Sequence, residues 1–181
     1  MRIDLPLNDQ VIRSLKAGDK VELYGTIYTA RDIAHSRLVD LVKKDMELPI
    51  DIKGSVIFYV GPTPAKPGHV IGSAGPTTSY RMDSFTPILL EKGLRGMIGK
   101  GPRSKEVKNS IVKNKAIYFA AVGGAGALIA KSIKKSTLIA YEDLGPEAIR
   151  KLEVEGFPAI VVNDIYKNDL YQQGRLRYQL K

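Results

Sequence analysis

Cysteine is absent from this chain. Its absence excludes disulfides, thiolate catalysis and cysteine-held metal clusters within the chain, and leaves the redox compartment open. Histidine is scarce as well, with only His35 and His69. Two imidazoles without a thiolate fall short of an intrinsic zinc site. No apolar run reaches the length of a membrane span, and the N-terminal M-R-I-D-L-P lacks the apolar stretch of a signal peptide. A soluble, cytoplasmic protein with no membrane association is the expectation. Neither repeats nor low-complexity segments interrupt the 181 residues. One domain over residues 1–181 is expected, long enough to bury a sizeable core.

Acidic residues are the minority charge. The balance of 28 Lys and Arg against 19 Asp and Glu leaves +9, which calls for an anionic partner: nucleic acid, a small polyanion or an acidic protein surface. Lys43 and Lys44, Lys113 and Lys115, and Lys131, Lys134 and Lys135 form basic clusters. They read as separate helices with their cations near C-terminal ends, where the dipole favours positive charge, and no aromatic residues are interleaved to stack on bases. A solvated face outweighs a nucleic-acid groove.

Element by element, residues 8–15 predict a short helix capped by Asn8, and residues 21–30 a strand rich in β-branched and aromatic residues. Residues 31–44 predict a helix with Arg31, His35 and Leu38 along one edge. A buried strand at 55–60 runs into the loop G-P-T-P-A-K-P-G-H. A helix over 79–92 and a strand over 94–98 follow, then a basic helix from a Ser104 cap to about Lys115. Beyond it the pattern predicts strands at 116–122, 137–141 and 159–163, with helices at 125–135 and 146–152. Strand and helix alternate in this second half, favouring parallel crossovers, so the fold class is α/β with more than one sheet layer.

Residues 71–101 carry the densest chemistry. A Gly-Pro turn is followed by Thr77, Thr78 and Ser79, then Arg81. Hydroxyls before a periodic segment signal a helix N-cap. Arg81 would then lie in the first turn, where the dipole disfavours a cation. It is either kept there to meet an anion, which the exposed N–H groups also attract, or it is a solvated surface arginine. Arg31 after one strand and Lys100 after another add two cations at strand ends, the usual edge of a ligand crevice in α/β sheets. A small dicarboxylate suits three such cations, each charge-assisted hydrogen bond contributing on the order of 1.5–3 kcal/mol. Such contacts raise affinity more than turnover. A threonine hydroxyl is too weak an acid to serve unaided as a base, and no activating group is evident. His35 could titrate beside Arg31, orient a substrate, or be a surface or core histidine; His69 has no evident partner. The turn A-V-G-G-A-G-A-L with Glu142 downstream imitates a dinucleotide fingerprint but lacks the third glycine, so close packing of helix against sheet at Gly123, Gly124 and Gly126 is the stronger reading.

Taken together, G-P-T-T-S-Y-R-M-D, G-M-I-G-K-G, R-D-I-A-H, A-V-G-G-A-G-A-L and A-Y-E-D-L-G-P-E-A-I resemble the class I fumarate hydratase β subunit, the C-terminal domain of single-chain members. L-tartrate dehydratase β subunits are similar. The resemblance runs from about Leu5 to Leu170. It implies a swivelling β/β/α three-layer domain and a partner α subunit whose cysteines hold a [4Fe-4S] cluster. The cluster's open iron would act as a Lewis acid on the substrate hydroxyl, in a site shared between the two subunits. Carried over by position, Thr77 matches the proposed base that takes a proton from carbon. Arg81 and Arg31 match carboxylate-binding arginines, and Lys100 a substrate-binding lysine. His35 and Thr78 receive supporting roles, and no residue of this chain binds metal. Tyr80 stands where the motif commonly has glycine.

The leading expectation is therefore the β subunit of a hetero-oligomeric hydro-lyase interconverting fumarate and L-malate, inactive without its α subunit and making no use of nucleic acid. An L-tartrate dehydratase β subunit is the alternative within the class. A basic nucleotide- or nucleic-acid-binding module is the alternative outside it.

Overall fold

A computed structural model describes residues 1–122 and 124–179. Its first elements are the strand β1 (Arg2–Asp4), the helix α1 (Asp9–Ser14) and the long strand β2 (Lys20–Thr29). Asn8 caps α1, its Oδ1 accepting from the Val11 N–H at 2.9 Å. Then come α2 (Asp32–Lys43) and β3 (Val56–Phe58), a 3₁₀ turn at Ser79–Met82, α3 (Thr86–Glu91) and β4 (Gly96–Gly99). The remainder is α4 (Lys105–Lys113), β5 (Ile117–Ala120), α5 (Gly126–Ser132), β6 (Ile133–Ala140), β7 (Ile149–Asn163) and α6 (Leu170–Tyr178). Ser104 caps α4 through the Val107 N–H.

The seven strands among the described residues belong to one hydrogen-bonded sheet. From β1 through β5 every neighbouring pair is parallel. β7 runs antiparallel to β2, β5 and β6. Because β7 bonds to both β2 and β5, the path β2–β3–β4–β5–β7 returns to β2, and the sheet folds back on itself. One core fills the space this creates: Leu23, Ile27, Val56, Phe58, Ile98, Phe119, Val154, Phe157 and Val161 meet there, with Phe58 and Phe157 edge-to-face at 5.1 Å. The alternate residues of the parallel strands, Ile57, Tyr59, Met97 and Tyr118, pack on Leu38, Leu89, Leu90, Val107 and Ile111 of α2, α3 and α4. Burying each of these large side chains stabilises the fold by about 1.5–3 kcal/mol.

Four expectations fail in whole or in part. The parallel crossovers predicted for the second half hold for β4–α4–β5 but go no further, because β7 is antiparallel to both β5 and β6. Residues 149–152, predicted as a helix, open the fifteen-residue strand β7. Their backbone pairs with β2 on one side and β6 on the other, and that double ladder overrides a local helical pattern. The single helix over 79–92 is broken. Pro87 lies in the first turn of α3, where it has no N–H for the preceding turn and disfavours helix before it. The basic residues Lys134 and Lys135, read as helical, lie on β6.

Candidate active site

The predicted site residues stand where three parallel strands end. Arg31 follows β2, the segment from Tyr59 to Gly61 follows β3, and Lys100 follows β4. The hydroxyl segment is laid between the last two. The Thr77 N–H donates to the Tyr59 carbonyl at 2.7 Å, and the Lys100 N–H donates to the Thr77 carbonyl at 3.2 Å. The Ser79 N–H then donates to the Lys100 carbonyl at 2.9 Å, and Thr78 and Lys100 form a parallel bridge. Thr77 and Thr78 are half-buried, while the Lys100 side chain is exposed and enters no ion pair among the described residues.

Close approach explains two glycines. A Cβ at Gly99 would collide with Ser79 Oγ and come within 2.9 Å of the Tyr59 ring. Ser79 Oγ lies 2.9 Å from the Tyr118 hydroxyl, which donates to the Gly101 carbonyl at 2.8 Å, so the serine donates to the phenol oxygen. Burial pushes the Tyr118 phenol up, well away from neutral titration. The residue therefore fastens the segment and takes no part in proton transfer. Gly126 lies against Ser73 and within 2.9 Å of the Gly75 nitrogen for a notional Cβ. The Gly-rich turn thus packs on the loop that leads into Thr77, close packing of another kind than the expected helix against sheet; Gly123 lies outside the described residues.

Arg81 overturns the argument that singled it out. It sits at the end of a 3₁₀ turn, not at the start of a helix, and Thr78 makes no side-chain cap. Its partner is Asp32, the first residue of α2, with Arg81 Nε at 2.8 Å from Asp32 Oδ1. Arg31 meets the same carboxylate, Nε to Oδ2 at 3.6 Å, and Glu147 Oε1 at 3.3 Å through Nη2. Arg31 also crosses Gly61 so closely that a Cβ there would lie 2.7 Å from Nη1. The two arginines are thereby brought together around Asp32. Arg31 Nε, Asp32 Oδ2, Glu147 Oε2 and His35 Nε2 are all buried without a hydrogen-bond partner among the described residues, a concentration of unsatisfied polar atoms unusual for a folded interior.

His35 is a core residue. Its ring packs edge-on to Tyr59 at 5.2 Å, and its Nδ1 lies 2.9 Å from the Arg31 carbonyl. A carbonyl only accepts, so Nδ1 carries the proton and Nε2 is an acceptor. The His35 N–H also donates to that carbonyl, at 2.7 Å. Burial lowers the His35 pKa to about 4, the second cause being the opposing hydrogen bond to Arg31. The ring is neutral at pH 7 and holds the start of α2.

Sequence reasoning passed over the acids and the anchor. Asp32 and Glu147 lie within quoted motifs, but only their neighbours were read. Asp83 accepts from Arg103 Nε at 2.7 Å and from the Ser104 N–H at 2.6 Å. The fully buried Arg103 side chain also donates to Thr86 Oγ1 at 2.7 Å and lies over Tyr59 and Tyr118 at 5.4 and 5.1 Å. Its Asp83 partner, two residues after Arg81, was the available signal. His69 lies in the exposed stretch 63–70. Of the lysine clusters, Lys113 pairs with Glu91, Lys115 with Asp9 and Lys135 with Glu153.

The family model described as Fumarase C-terminus matches residues 1–174. The chain is 43% identical over 156 residues to "Fumarate hydratase class I, anaerobic" of Escherichia coli, covering 85% of this chain and 28% of that protein. It is 40% identical over 166 residues to "Fumarate hydratase 2" of Leishmania major, covering 91% and 29%. With "Putative L(+)-tartrate dehydratase subunit beta" of Methanocaldococcus jannaschii it shares 37% over 173 residues, covering 92% and 89%. The chain thus spans under a third of the fumarate hydratases and most of the third protein. With a family match over nearly its whole length, the chain belongs to the fumarase C-terminal family.

Proposed function

We propose that this chain is the β subunit of a heteromeric class I fumarate hydratase, a single swivelling β/β/α domain that supplies one half of an active site. The observation that carries the reading is the convergence of Arg31 and Arg81 at the strand ends where backbone bonds fix Thr77 beside Lys100. Arg31, Arg81 and Lys100 bind the substrate carboxylates, and Thr77 Oγ1 takes the proton from the carbon of L-malate, returning it when fumarate is hydrated. His35 supports Arg31 from beneath, and Thr78 supports the bridge to Lys100. The sheet closed by β7, with one core inside it and another under the helices, suits the three-layer arrangement.

The residues of this chain do not fit a metal cluster. The sequence has no cysteine, and no group of three His, Cys, Asp or Glu able to hold a metal occurs among the described residues. In this reading the [4Fe-4S] cluster belongs to the partner α subunit. A cytoplasmic location goes with it; no described helix is long and apolar enough to cross a membrane.

The match along 89% of the tartrate dehydratase β subunit favours a second reading, in which the same site acts on L-tartrate. The test is to reconstitute the chain with a cluster-bearing α subunit and compare hydration of fumarate with dehydration of L-tartrate. Fumarate hydration by the complex and none by the chain alone is expected. Activity confined to tartrate would replace the first reading with the second, and turnover by the chain alone would overturn the subunit assignment.

A further inference from the structure

We propose that Asp32 is a positioning residue of the anion site: its carboxylate holds Arg81 by the Nε side and leaves the Nη1–Nη2 edge of the guanidinium to grip a substrate carboxylate. The inference rests on the reading of Arg31 and Arg81 given above.

The two arginines are held very differently. Arg31 is built into the wall, its side chain 19% exposed, crossing Gly61 and paired with Glu147. Arg81 rides a short 3₁₀ turn with its side chain 45% exposed. A long side chain so placed would otherwise sample many rotamers, and ordering it only at binding would weaken the complex. Asp32 is its one ion-pair partner among the described residues, and Nε makes the closest approach, at 2.8 Å. A guanidinium presents its donors in a planar fork, so engaging one side orients the other.

Asp32 is itself a rigid support. It opens α2, where a carboxylate suits the helix dipole. The preceding carbonyl, that of Arg31, is held twice by His35, through its backbone N–H at 2.7 Å and Nδ1 at 2.9 Å. Asp32 Oδ2 faces Arg31 Nε at 3.6 Å and both atoms lack a hydrogen-bond partner. One carboxylate thus fixes the separation between a built-in arginine and a mobile one. That separation is what a dicarboxylate must match.

The opposite role is also chemically possible. A carboxylate beside Arg81 could compete with the substrate for it, and the two roles differ in sign. The test compares wild type, Asp32→Asn, Asp32→Glu, Arg81→Lys and the Asp32→Asn/Arg81→Lys double variant. Succinate binding is measured by calorimetry on the reconstituted complex, alongside steady-state kinetics and melting temperature. Expected in Asp32→Asn are a Kd for succinate and a KM raised about tenfold with kcat within about twofold, since binding and not chemistry is touched. Asp32→Glu should recover part of the loss. In the Arg81→Lys background the same change should add little, because Asp32 acts through the arginine fork.

Tighter binding in Asp32→Asn, unchanged binding, or a loss that simply adds to that of Arg81→Lys would overturn the proposal while leaving a wild-type hydro-lyase intact. If the wild-type complex hydrates no fumarate and dehydrates no tartrate, yet binds succinate in an Asp32-dependent way, the functional reading falls and the positioning role stands. Failure of the wild-type complex to bind succinate overturns both.

Discussion

The Lys100 N–H donates to the Thr77 carbonyl at 3.2 Å, and two residues on the Ser79 N–H donates to the Lys100 carbonyl at 2.9 Å. A lysine and a threonine more than twenty positions apart are thereby set by one piece of backbone at the end of β4. A bridge of this kind fixes the points from which the two side chains leave the backbone, a first requirement of orientation-dependent chemistry. The main chain of the two residues moves together or not at all.

The first prediction concerns the hydroxyl. Thr77→Ala in the reconstituted complex should lower kcat by about 10²–10⁴-fold with KM changed little, the range for losing a positioned proton-transfer group. The backbone bridge to Lys100 uses no Thr77 side-chain atom, so the site should keep its shape. Steady-state kinetics on fumarate and L-malate checks this, and full activity would remove Thr77 from the mechanism.

Arg103 supports the site from below. Removing it leaves the half-buried Asp83 carboxylate, beside the Ser104 N–H, and the buried Thr86 without their charged partner. Breaking a buried pair from one side costs about 3–5 kcal/mol. Arg103→Ala should lose stability on that scale by urea denaturation, whereas Lys113→Ala, whose pair with Glu91 is exposed, should lose about 0–1 kcal/mol. Equal losses would contradict the role assigned to the buried network.

His35 predicts a pH dependence of stability. Its folded pKa is lowered from 6.5 to about 4, so between these values the unfolded chain takes up a proton that the folded chain refuses. Stability is therefore fully present above the unfolded pKa and falls as the pH drops through this window, by on the order of 3 kcal/mol in all. Denaturation at pH 7 and pH 4.5 should show a steeper loss for wild type than for His35→Asn, whose amide can still donate to the Arg31 carbonyl. The same slope in both would place the acid sensitivity elsewhere.

Arg31 and Lys100 were legible as strand-end cations before any coordinates, because their spacing is a local fact, whereas Arg81 was picked out by an expected helix start and the role of Thr77 came with the family resemblance. The Asn8 and Ser104 caps were legible as local facts as well. The acids were not. Asp32 adjoins Arg31 in sequence, but what gives it meaning is Arg81, some fifty residues later, and the dipole mismatch invoked for Arg81 disappears once Pro87 breaks the predicted helix. Pro87 was a readable signal that went unused.

By itself the sequence determined the chemistry on offer: no thiolate, no metal set of its own, a net positive chain, and a family motif with a threonine, two arginines and a lysine in order. Only the tertiary structure decided what those residues do to one another. Residues 149–152 become strand because β2 and β6 both bond to them, and the strand they open closes the sheet. Arg81 becomes oriented because the start of α2 brings Asp32 beneath it. Hydrogen-bond ladders and ion pairs join residues far apart in the chain, and local propensity carries no record of them.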